Sequence, residues 1–584
     1  MSFHQKARQT WALLLSAALL APPFGGAQEK PASDVPAASL RVTTRLVLVD
    51  VVVRDKAGQP VTDLQASDFT VSEKGKAQKL AVFALERPAP AATPPSLPPN
   101  VFTNRPGYRM PEGPLTILLL DGMNTQIANQ NYARQQLLKY LRTQHQANQR
   151  MAVFALGNTL RVLQDFTSDP RLLRAALEGY ATTEAQALAA AAPRPPSKMA
   201  AGDEGRLGGN MAERMRNQLH QFETEQSATN LERRIGGTLA ALRLIARAMA
   251  GYPGRKNLIW VSASFPVVLF PDSALPSVRA TLLGAQNAST NVMRSYEPEL
   301  KATENLLSQA QVAVYPVDAR GLVGGGSVAD ASNSGLNEAG LLRIGADYGN
   351  TVTSQSAQLV DSTAAMKDLA DETGGRAYTS RNDIDNAVAL GVADGSTYYL
   401  LGYYPEDKSA DGTFRKISVE VSRPGVQVRH RPGYYAIDDV KAAKQKSEKE
   451  KEAELMMAMA TESLTTNMVV FDSRITPPAA GGPVTVEVLV DPRTLSTEPL
   501  GGGRQQLSVN FYAAAFGPDG KLVDHKESKI EQPLSPEQFA KLQQGGLPFQ
   551  AQLDLKPGNY AVRVAIRDNR TGYFGTLEAP LSLK

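Results

Sequence analysis

Asp121 ends the apolar run PLTILLLD, and Met123 and Thr125 follow it at the second and fourth positions. A carboxylate at the end of a strand, with hydroxyls two and four residues on, can bring three oxygens to one point. Hard cations such as Mg2+ or Ca2+ are held by such oxygens. Thr125 supplies one hydroxyl. Met123 stands where the other belongs, and thioether sulfur is a soft, weak ligand for a hard ion. Asn124 offers a further oxygen.

Other reactive residue types give no comparable grouping. His4, His145, His220, His430 and His525 are scattered, with no two at metal-ligand spacing. No serine sits in a G-x-S-x-G elbow. GLVGGGS and LGGGR lack the Lys-Ser/Thr of a phosphate loop and read as flexible loops. Asp318 in YPVDARG ends another apolar run; it is placed either to hydrogen-bond Arg320 or to border the groove, and a structural, loop-capping role is the expected one. Asp371 and Glu372 read as a solvated helix face. The chain has no cysteine, which excludes thiol catalysis, thiolate zinc sites and disulfide staples.

The elements that must position Asp121 form an alternating pattern. Apolar strand runs at Leu115–Leu120, Met151–Leu156, Leu160–Phe166, Asn257–Val261, Val312–Val317 and Thr397–Tyr403 are separated by helical stretches. Alternation of this kind predicts a mostly parallel sheet with helices on both faces, and ligands in such sheets bind at the C-terminal ends of the strands. The helix before the fourth strand carries Leu239, Leu242, Ile245 and Met249 on one face. It stops at Gly251 and Pro253.

Around this lie other pieces. Residues 41–86 read as strands with an EKGK turn, a segment small for an independent core, and the 414–437 hairpin is expected to pair with it. Residues 87–113 are Pro-rich and read as an extended linker. Segments 181–228 and 321–360 read as insertions in the 114–413 domain, 438–464 as a charged linker helix, and 465–584 as a β-sandwich.

Over 584 residues the net charge is +4, too weak to point to nucleic acid. Lys6 and Arg8 precede the apolar run Trp11–Ala21, with Gly25 and Ala27 beyond. This reads as an export signal over 1–27, too short to be a membrane span. The expected location is periplasmic, cell-surface or secreted.

Several segments together resemble one family. TILLLD with D-x-x-x-T spacing is similar to the von Willebrand factor type A fold and its metal-ion-dependent adhesion site. LVLVDVVVRDKAGQPVTDLQASDFTVSEKGKAQKLAVFAL, QDFTSDP, PGRKNLIWVSASFP, VAVYPVDARGL, LADETGGRAY and YYLLGYYPEDKSADGTFRKISVEV extend the match over 41 to 435. The chain thereby resembles the acidobacterial-type VWFA-related domain proteins. The resemblance implies a type A-like (Rossmann-like), doubly wound, mostly parallel sheet, flanked by a small N-terminal β domain and a C-terminal all-β sandwich. It also implies an ion held by Asp121, Thr125 and Thr238, the last within GGT. Met123 and Ala263 replace two of the implied ligands, with Ser262 and Ser264 beside the second gap, so the site is degenerate. The function expected is a non-enzymatic binding or adhesion module for a protein or cell-surface polymer, with loops 122–128, 262–292 and 321–360 as the contact. A structural scaffold of the envelope is the alternative, and a metal-dependent hydrolase a third reading.

Overall fold

The computed structural model describes residues 46–87, 96–109, 115–146, 149–191, 230–265, 296–321, 363–460, 464–478 and 482–584, side chains at 181–191 and 297 excepted. The export signal, most of the two insertions and most of the 262–292 loop lie outside these residues.

The expected fold class is corrected. Strand outweighs helix, 39% to 31%, and four of the five sheets among the described residues are antiparallel throughout. The chain is therefore not a doubly wound parallel α/β protein. Among the described residues, parallel strand pairing is confined to Leu115–Asp121, Arg150–Leu156, Lys256–Ser262 and Val312–Asp318 within one five-stranded sheet, with one isolated parallel bridge from Val317 to Tyr378. Its edge, Leu160–Thr167, runs antiparallel to Arg150–Leu156. Only residues 157–159 join those two strands, too few for the crossover that a parallel partner needs.

A second expected member, Tyr398–Tyr403, belongs to another sheet. It pairs antiparallel with Val47–Arg54, Leu401 opposite Val49, and with Leu80–Glu86. An apolar run such as YYLLGY marks a buried strand but does not say which sheet it joins. Phe69–Glu73 pairs with Phe414–Val421, Val71 opposite Val419. Val49, Val51, Phe69, Val71, Tyr399, Leu401, Ile417 and Val419 share the core of this N-terminal β unit.

The 87–113 segment also differs from a linker. Val101–Thr103 adds a strand to the C-terminal unit, Thr103 opposite Asp472 and Val101 opposite Arg474. Asn104 follows, fully buried. Composition hid this strand, because prolines flank a three-residue apolar stretch that has no period of its own.

In the five-stranded sheet, LTILLLD is buried along its whole length. Ile117 and Leu119 face one core with helix 230–249. Leu118 and Leu120 face the other, with Ile127–Thr143 and Ile384–Ser396. Buried on both faces, the strand has no freedom to slip by one residue, since a slip would swap every side chain between cores. That fixes where Asp121 emerges.

Ion pairs tie the units together. Asp394, on helix Ile384–Ser396, takes Arg54 at 2.7 Å and Arg429 from the N-terminal β unit. The charged 438–464 segment folds as helices Asp439–Gln445 and Glu448–Met459. Its Glu454 accepts from Arg247 at 2.9 Å and Lys446 at 2.7 Å, with Arg567 of the last β unit 3.7 Å away. Glu454→Gln is expected to cost about 1–2 kcal/mol, because the carboxylate is mostly buried while two of its three partners are partly solvated. A denaturation midpoint unchanged from wild type would contradict that role.

Candidate functional site

Three segments meet at the C-terminal end of the Asp121 strand: 121–125, 234–238 on helix 230–249, and 262–264 after the Lys256–Ser262 strand. Asp121 is 2% exposed. Its Oδ1 accepts from the Asn124 amide N–H at 2.9 Å. Its Oδ2 accepts from Asn124 Nδ2 at 2.8 Å, Ser262 Oγ at 2.8 Å and Trp260 Nε1 at 3.1 Å. Burial pushes the Asp121 carboxyl above its ordinary value, and these four donors oppose the rise.

Thr238 and Thr125 are both brought to the cluster. The Thr238 hydroxyl accepts from Asn124 Nδ2 at 2.7 Å and donates to the Arg234 carbonyl at 2.8 Å. The Thr125 hydroxyl accepts from the Ala263 N–H at 3.0 Å. Gln130 Nε2 donates to the carbonyls of Thr125 and Gly122, at 2.7 and 3.2 Å, and so holds the loop on the following helix. Met123 turns away. Its Cε and Sδ lie 2.9 Å from where a Cβ on Gly237 would sit, so its thioether packs on the helix backbone.

Arg234, one turn before Thr238, was not singled out from the sequence. Its Nε donates to Asn124 Oδ1 at 3.0 Å and its Nη2 to Ser264 Oγ at 3.1 Å. Burial lowers its pKa from the ordinary arginine value, opposed by the charge of Asp121. The i, i+4 spacing of Arg234 and Thr238 within RRIGGT was the signal that could have found it. Trp260 was read as a strand residue alone, and its indole donor also belongs to the site.

A divalent ion does not fit this arrangement. Mg2+ demands near-octahedral oxygens, and Ca2+ six to eight. Here the Asp121 carboxylate already takes four hydrogen bonds, and both threonine hydroxyls are engaged. Ala263 contributes a backbone donor in place of a carboxylate, and a guanidinium reaches Asn124. A cavity of about 10 Å3 beside Asp121, bordered by Thr125, Gln130 and Arg134, has room for roughly one water. Among the described residues no three acidic or histidine side chains are grouped to hold a metal. Asp318, the other strand-end carboxylate, takes the Arg320 side chain at 2.7 and 2.8 Å and the Arg320 N–H at 2.9 Å, as a loop cap.

A second buried charged group lies at the opposite end of this sheet. Lys256 is 1% exposed and donates to the Tyr252 carbonyl at 2.8 Å. Asp50, from the N-terminal β unit, accepts from Gln311 at 3.0 Å. Burial pushes Lys256 down to about 7, the charge of Asp50 opposing, and pushes Asp50 up. A lysine with a lowered folded-state value binds fewer protons folded than unfolded. Its penalty is therefore greatest below about 7 and shrinks as the pH climbs toward 10.5. Stability is expected to gain about 1–2 kcal/mol between roughly pH 6.5 and 9 in wild type relative to Lys256→Met, which removes the titration. Parallel pH profiles for the two proteins would contradict this.

No family model and no curated protein matches the chain. Among solved structures it is similar to an aerotolerance-related membrane protein from Bacteroides fragilis, at 12% identity and TM-score 0.22, over 48% of this chain and 98% of that one. A mutant PilB minor pilin from Streptococcus sanguinis is similar at 9% identity and TM-score 0.21, over 48% and 60% of the two chains. The pilus adhesin SpaC from Lactobacillus rhamnosus GG is similar at 8% identity and TM-score 0.22, over 90% and 59%. At these scores the likenesses decide neither fold nor function. Among the described residues no helix is long and apolar enough to cross a membrane.

Proposed function

We propose that the chain is an exported, non-enzymatic binding module that engages a protein or cell-surface polymer without a divalent ion. The observation that carries this reading is the Asp121 cluster. Three separate segments commit buried polar side chains to rigidify one strand-end loop, at the C-terminal ends of the parallel strands where ligands are commonly received. A rigid, pre-ordered surface loses less entropy on association than a mobile one. The family resemblance over 41 to 435 supports the same reading, with export drawn from the 1–27 segment.

Pull-down from an envelope extract tests it. One component is expected to be retained equally in Mg2+ and in EDTA, and lost with Gln126→Arg, which alters an exposed residue at the rim of the loop. Retention of nothing above background, or retention only with divalent ions, would count against it.

A second reading, a structural scaffold, is favoured by the ion-paired seams at Asp394 and Glu454. They connect the three units. Concentration-dependent self-assembly by light scattering would support the scaffold, and a monomer at all concentrations would support the binding module.

A further inference from the structure

We propose that Arg234 is the resident cation of the Asp121 cradle, a side chain standing in for the ion that a loop of this spacing would otherwise hold. The charge balance is local. Asp121 is buried, and its charge acts on Arg234. Two of the three guanidinium nitrogens are turned inward, onto Asn124 and Ser264. Asn124 is the shared hinge. Its Oδ1 receives Arg234, while its Nδ2 donates to both Asp121 and Thr238. The guanidinium is thus one amide away from the carboxylate, and it organises the same three segments that an ion would draw together. A planar, permanently charged fork suits this role better than an ammonium.

A second loop of the same chain repeats the solution. Calcium loops of the pattern D-x-[DN]-x-[DN]-G-x5-E ligate through the first, third and fifth side chains and the seventh carbonyl. The ninth position often acts through water, and a glutamate closes the shell at the twelfth. Residues 407–418 place Asp407, Ser409 and Asp411 at positions one, three and five, and Gly412 at six with φ 77°. The ninth position is Arg415 and the twelfth is Ser418. Arg415 is 1% exposed. Its Nη1 donates to the Asp407 carbonyl at 2.5 Å, and its Nη2 to the Ser409 hydroxyl at 2.9 Å and to the Ser409 carbonyl. The same Nη2 lies 3.2 Å from Asp407 Oδ2 and 4.0 Å from Asp411 Oδ1. The guanidinium therefore braces the loop from its inner side, with Nη1 also 3.4 Å from Oε1 of the buried Glu73 on strand Phe69–Glu73. In both places an arginine of the same chain braces an oxygen-rich turn.

Two measurements on the full chain test the inference. Trp260 donates directly to Asp121, so Tb3+ bound in the cradle would be sensitised by it. No saturable Tb3+ emission is expected up to about 1 mM, the weak end for extracellular calcium modules, and no change in Tm with Ca2+, Mg2+ or EDTA. Saturable emission, or a divalent-dependent Tm, overturns the proposal.

The second measurement is a double-mutant cycle. Arg234→Gln is expected to lower Tm by about 2–4 °C, and Arg234→Lys, which keeps the charge but not the fork, by less. Asp121→Asn/Arg234→Gln should fall clearly less than the two single losses added together, since each single variant strands the other charge. Additive losses, or a silent Arg234→Gln, would show that the guanidinium is merely a surface charge and would overturn the assignment.

Discussion

Asn104→Ala is expected to destabilise the chain by about 3–4 kcal/mol, since each buried polar group left without a partner costs roughly 1–3 kcal/mol. Asn104 is fully buried, in a segment whose composition reads as linker. Its Nδ2 donates to the carbonyls of Val469 and Thr466, at 2.8 and 3.0 Å, and its Oδ1 accepts from the Phe471 N–H at 2.8 Å. The strand Val101–Thr103 before it fills the edge of the sheet, and Arg105 after it pairs with Asp472 and Asp491 at 3.0 and 3.1 Å. Alanine removes the amide while the surrounding backbone stays buried. Chemical denaturation of wild type and variant measures the difference. A loss below about 1 kcal/mol would mean that the segment is a replaceable tether, since that is the net worth of one ordinary hydrogen bond.

Asp121→Asn is expected to cost about 2–4 kcal/mol despite its near-identical shape. The carboxylate accepts four hydrogen bonds, and its Oδ2 alone faces the Asn124 amide, the Ser262 hydroxyl and the Trp260 indole. An asparagine must turn an NH2 group toward some of these donors, leaving them and itself unpaired. It also deletes the charge that acts on Arg234, whose guanidinium is held by Asn124 and Ser264 of this same loop cluster. Quenching or a shift of Trp260 fluorescence should accompany the loss, since the indole N–H loses its anionic partner. Stability and emission both unchanged would mean that the carboxylate is not the anchor of the loop.

The site was half legible in the sequence. An apolar run ending in aspartate, with threonine four residues on, located the loop. The mismatch at Met123 and Ala263 marked it as a poor ion site. Thr238 was reached through the family resemblance, and the structure brings it to the same cluster. Arg234 was missed because an arginine on an amphipathic helix ordinarily reads as solvated. Its place one turn before Thr238 was the available signal, and the structure puts both residues on Asn124. Arg415 was missed for a similar reason: a charged residue in a strand reads as solvated, although the alternation puts it on the buried face with Ile417 and Val419, where its side chain reaches back into the preceding turn.

The fold was legible element by element and misread in assembly. Strand positions followed from apolar runs, but a run buried on both faces does not disclose its partner. The YYLLGY strand was therefore placed in the wrong sheet, and the share of parallel pairing was overestimated. The connection over residues 157–159 is too short for a crossover, and its length should have excluded a parallel neighbour there. The strand at Val101–Thr103 carries almost no signal, since its place is set by the open edge of Phe471–Thr476, some 370 residues away in sequence.

The most direct test of the account is a crystal structure grown in Mn2+ and read by anomalous scattering. The expected result is no Mn2+ peak beside Asp121, with Arg234 in place on Asn124 and Ser264. A peak bonded to the Asp121 carboxylate, with Arg234 displaced into solvent, would contradict it.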